Sequence, residues 1–158
     1  IVVNDKDIPE RQNFTIAHEI GEHMKPENLA PIPAEQWANN FASELLLPSE
    51  WFVNYGELCH WDLEELKSIF KTASWEAIAR KVIWFHKCAV TIIDNGEIYF
   101  RKGHGVVPNG LIPAERQAFI RAIEEKHVVT YDEDVQVSAW KVDLSEFVRV
   151  VMVTERVE

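Results

Sequence analysis

Between Phe14 and His23 the chain reads FTIAHEIGEH, and most of its side chains that could do chemistry stand close together there. His18 and Glu22 are four residues apart. On an α-helix that spacing puts both side chains on one face, a turn apart, where they can grip one cation. Glu19, beside the first of them, carries a carboxylate that can take a proton from water held at such a cation. The chemistry implied is metal-assisted hydrolysis.

The stretch departs by one residue from H-E-x-x-H, the helix signature of zinc peptidases. Glu22, not histidine, stands four residues after His18, and His23 follows one place late. At about 100° per residue His23 points about 140° from His18, whereas Glu22 is about 40° away. His23 could join the site only through a π-bulge, so Glu22 is the expected partner of His18. A third ligand is expected downstream, in EQWANNFASELLLP, residues 35–48. Trp37, Ala38, Phe41, Ala42, Leu45 and Leu46 follow helical spacing there. Glu35 and Asn39 form an i, i+4 pair on that helix. Glu35 fits the role of metal ligand, and Asn39 that of a residue hydrogen-bonding the ligating histidine.

FTIAHEIGEH followed by Glu35, Ala38, Asn39, Phe41, Ala42 and Leu45–Pro48 resembles the ImmA/IrrE-type metallopeptidases of bacteria and their mobile elements. The lead-in IVVNDKDIPERQ is also similar to that family. The resemblance is specific over residues 1–52 and weaker to residue 87. It implies a cytoplasmic, metal-dependent endopeptidase with a helical, zincin-like core. Its relatives typically cleave or disable a helix-turn-helix repressor and so switch on stress or mobile-element genes. Residue by residue, the resemblance assigns His18 and Glu35 as ligands and Glu19 as the base, and Glu22 occupies the place of the family's second histidine.

The composition agrees with a globular protein. The 158 residues are 47% hydrophobic, enough for one domain with an appendage. A net charge of −10 argues against a nucleic-acid surface as the main function. Cys59 and Cys88 form no C-x-x-C pair and read as thiols of a reducing compartment. No apolar run reaches the roughly 18 residues of a membrane span, and no signal-peptide pattern precedes the first expected strand. The first residue is Ile1 rather than Met, so a preceding part of the protein is expected to be missing.

The expected fold is α+β. Residues 1–87 form the metallopeptidase domain: a short strand at Ile1–Val3, the motif helix to Met24, a loop over residues 27–33, and a helix to Leu47. A short helix from Ser49 follows, then a helical pair over residues 62–70 and 75–85. Trp51, Phe52 and Tyr55 are expected in the core. Residues 88–158 form an α+β region with an antiparallel sheet. It opens with a hairpin at Asn95-Gly96 and holds a helix over residues 114–126, with Phe119, Ile120 and Ile123 on one side.

A histidine with two carboxylates is a harder ligand set than two histidines with one. Zn²⁺ is the expected metal, with Mn²⁺ or Fe²⁺ as rivals. The altered motif also motivates an alternative, a peptidase-like binding module that holds a repressor without cleaving it. Lys67, Lys71, Arg80, Lys81 and Lys87 on the helical pair support a third reading, DNA binding, which the overall charge disfavours.

Overall fold

The computed structural model describes residues 3–26, 32–104, 108–144 and 146–157. Ile1 and Val2, from the expected first strand, and residues 27–31 of the expected loop lie outside them. The chain divides into two compact units, Ile1–Ile78 and Ala79–Glu158, and the division falls inside a helix. Among the described residues there are six helices and five strands, an α+β architecture. Among the described residues no helix is long and apolar enough to cross a membrane.

The first unit is helical. Helix α1, Pro9–Met24, starts earlier than its apolar pattern suggests, because Pro9 at the first helical position is already set for the turn. It ends at Lys25, before Pro26. Helix α2, Ala34–Leu46, packs against it. The contact is close at Gly21, where a Cβ would come within 3.0 Å of Phe41 and 3.1 Å of the Ala38 backbone. Helix α3, Ser49–Leu58, follows directly after Pro48. The Glu44 carboxylate reaches across that proline and accepts from the Ser49 backbone N–H at 3.1 Å and its hydroxyl at 2.5 Å.

Helix α4, Leu63–Ile69, is capped as its sequence predicts. The Asp62 carboxylate accepts from the backbone N–H groups of Glu64 and Glu65, both at 2.9 Å. Helix α5, Trp75–Phe85, buries Ile78, Ala79, Val82 and Ile83 as expected. Three of the five basic residues of this pair do not stand free on a surface. Lys67 donates to Glu10 and to the carbonyls of Lys71 and Ala73, Arg80 lies over the Phe100 ring at 4.2 Å, and Lys81 is buried.

The second unit is an antiparallel sheet of order β2-β1-β5-β4-β3. Its strands are β1, Cys88–Asp94; β2, Glu97–Gly103; β3, His127–Asp132; β4, Val135–Asp143; and β5, Val148–Arg156. Asn95 and Gly96, both at positive φ, close the first hairpin as the Asn-Gly pair predicts. Helix α6, Pro113–Glu125, lies on one sheet face, where Ala114, Ala118 and Ala122 meet Ile93, Val137, Ala139, Val150 and Met152. This corrects the expected face in part: Phe119 packs against this core, but Ile120 and Ile123 are exposed. Three small residues let the helix come close to the sheet, and that approach outweighs the larger area on its other side.

A second correction concerns α3. Phe52 is fully buried, but Trp51 and Tyr55 are exposed. Both cysteines are free. Burial, with the nearby Glu155 charge, pushes the Cys88 thiol up to about 12, so it stays neutral and unreactive.

Candidate metal centre

Helix α1 is α-helical throughout, with no π-turn. His18 and Glu22 therefore share one face, and α2 brings Glu35 to the same point. The His18 Nε2 lies 3.5 Å from a Glu22 carboxylate oxygen and 3.6 Å from one of Glu35. One ligand atom from each of the three residues lies within 4.8 Å of the other two. These separations exceed an ordinary hydrogen bond. They are close to the spacing of atoms that share a cation: two ligands about 2.0–2.1 Å from a tetrahedral ion stand about 3.3 Å apart.

The orientation of His18 follows from its neighbours. A carboxylate only accepts, so the Asn39 amide turns its NH₂ toward Glu35, at 3.3 Å. Its carbonyl oxygen then faces His18 Nδ1, at 3.1 Å. Nδ1 therefore donates to that oxygen, and Nε2 is the ring nitrogen that faces the two carboxylates. The His18 side chain is only 16% exposed, whereas Glu35 is 73% exposed. The cluster is thus anchored on one side and open on the other.

Residues 1–82 match the model of the Peptidase_M78 family, the IrrE N-terminal-like domain. The chain belongs to this family. No curated protein matches the chain. The domain is metallopeptidase-like, the family implies a metal cofactor, and the M78 chain carries a His-Glu-Glu cluster whose donor chemistry fits a divalent cation.

The M78 chain places its other sequence-predicted residues as follows. Glu19 adjoins His18 on α1 and is half-buried. His23 is turned back on its own helix, its Nδ1 2.9 Å from the Glu19 backbone oxygen, and stands apart from the cluster.

Trp37 stands out in the sequence only as an apolar position of the α2 pattern. Its indole N–H donates to the Gly21 carbonyl at 3.0 Å. That carbonyl is among the last four of α1, which have no partner within the helix. Trp37 thus joins the turn that bears Glu22 to the turn that bears Glu35. The sequence held only half of the signal: a helix stopped by Lys25-Pro26 leaves free carbonyls and an indole seeks an acceptor, but which carbonyl it meets depends on how α2 packs on α1.

Proposed function

We propose that this chain is a metal-dependent endopeptidase with a zincin-like core, acting on a protein partner in the cytoplasm. The observation that carries the proposal is the convergence of His18 Nε2 with the Glu22 and Glu35 carboxylates, with Asn39 fixing the histidine. In this reading His18, Glu22 and Glu35 hold the metal. When bound, the cation supplies Lewis acidity toward a peptide carbonyl and toward water.

The chain's own residues do the rest. Glu19 accepts a proton from the attacking water on its carboxylate and returns it to the leaving amine. Asn39 holds the His18 tautomer, and Trp37 holds the two ligand-bearing turns together. The family resemblance supports a helix-turn-helix repressor as the substrate, with control of stress or mobile-element genes as the outcome. The donor set fits Zn²⁺, and its two carboxylates suit Mn²⁺ or Fe²⁺ better than a two-histidine site would.

Elemental analysis of wild type and Glu35→Ala tests the site. About one metal per chain in the wild type and none in the variant is expected for a three-ligand site. Glu22→His should raise zinc affinity. Cleavage of co-encoded repressors tests the activity: Glu19→Gln should abolish it and leave metal binding intact. The Glu22 substitution favours one second reading, a binding module without turnover. Stoichiometric metal with no cleavage, and partner binding unaltered in Glu19→Gln, would establish it instead.

A further inference from the structure

Helix α3 carries an apolar stripe on its solvent side. Trp51, Tyr55 and Leu58 are 61%, 41% and 77% exposed. They stand at i, i+4 and i+7, within about 60° of arc. The stripe is held rigidly from behind. Phe52 packs against Trp61 and Phe70, with ring centroids 6.2 and 5.5 Å away, and Tyr55 meets the Phe70 ring edge-on at 6.1 Å. The remaining side of the helix presents Glu50, Asn54 and Glu57, all exposed. A tryptophan and a leucine exposed side by side on an ordered helix mark an interaction surface.

The charge around the stripe selects its occupant. Residues 32–66 contain seven Asp and Glu, six of them exposed, and no Lys or Arg. Anionic lipid and nucleic acid are repelled by such a surface. A second copy would set the same acids against one another. A protein segment with apolar residues at helical spacing and Lys or Arg on its flanks satisfies both the stripe and the acids.

We propose that α3 docks a basic amphipathic helix of a partner protein. Trp51, Tyr55 and Leu58 anchor its apolar face, and Glu50 and Glu57 meet its cations. The inference rests on the function above only in taking that partner to be the protein substrate.

The test uses the full chain carrying Glu19→Gln, so that no bond is cut. The probe is a synthetic Leu/Lys peptide of about 18 residues, five helical turns, with leucine on one face. A matching Leu/Glu peptide is the control, and binding is read by calorimetry. The Leu/Lys peptide is expected to bind and the Leu/Glu peptide not to bind. Trp51→Ala with Leu58→Ala should weaken binding by about tenfold or more, the size of a lost pair of anchors. Glu50→Gln with Glu57→Gln should weaken it and flatten its salt dependence. An unchanged unfolding midpoint shows that these exposed substitutions leave the fold intact.

Equal binding of the two peptides, or wild-type affinity in the Trp51/Leu58 variant, overturns the proposal. So does self-association, seen by sedimentation without peptide and abolished by that variant, which would make a second copy the occupant. Cleavage by the unsubstituted chain is measured separately. Docking as expected with no cleavage would sink the peptidase reading alone, and cleavage with unaltered binding in the stripe variant would sink the docking alone.

Discussion

Two clusters in this molecule use the same acidic side chain in opposite ways. In the second unit, Glu115 is buried and saturated. One of its carboxylate oxygens accepts from Arg101 Nη1 and the Thr154 hydroxyl, the other from Arg101 Nη2 and the Ile112 backbone N–H. Arg101 in turn donates to Thr91 and the Pro108 carbonyl. No acceptor position is left for a ligand. In the first unit, Glu22 and Glu35 approach His18 at distances longer than hydrogen bonds and keep open acceptor positions facing solvent. A saturated carboxylate holds a fold together, while an unsaturated group of carboxylates around an oriented histidine is available to a cation. Coordination capacity, rather than residue type, separates a structural network from a site.

Substitutions can break or sharpen this contrast. The largest effect is expected in the saturated cluster. Glu115→Ala strands the buried Arg101 cation and should cost about 3–5 kcal/mol in urea unfolding, whereas replacing both partners by apolar residues should cost far less. Equal losses from both changes would contradict the assigned role. In the open cluster, Asn39→Ala should lower metal affinity about 10–100-fold in a metal titration and barely move the unfolding midpoint of the metal-free protein. Trp37→Phe removes one hydrogen bond from an otherwise similar ring. It should cost about 1 kcal/mol of stability and reduce metal affinity less than Asn39→Ala does.

The smallest effect concerns Glu10, bonded to Lys67 at 2.9 Å. Burial alone would raise this carboxyl. The Lys67 hydrogen bond and charge, with a backbone hydrogen bond, outweigh it and hold the group below its ordinary 4.5. A depressed carboxyl contributes stability that is present above its unfolded value and is lost as pH falls through the folded value. Below pH 4.5 the wild type should therefore lose a contribution that Glu10→Gln never had. Solvent screening keeps that difference under about 1 kcal/mol. Parallel pH–stability curves for the two proteins would remove the effect.

Much of this was legible in the sequence, and the exceptions share a cause. The Asp62 cap, the Asn95-Gly96 hairpin and the i, i+4 pairing of His18 with Glu22 are local rules, satisfied within a turn or two of chain. The faces of α3 and α6 were not legible, because both helices carry apolar residues around more than half their circumference. Which side is buried then depends on tertiary partners: the aromatic rings behind Phe52 in one case, the close sheet under three alanines in the other. Glu35 was legible through its spacing to Asn39. The bond from Trp37 was not, because it depends on where α1 ends relative to α2.

The Glu44 carboxylate bonded to Ser49 across Pro48 has a mechanical consequence. Proline fixes one torsion at the joint of α2 and α3, and the two bonds to Glu44 resist the others. The joint of α2 and α3 is therefore stiffer than an open linker of the same length would be.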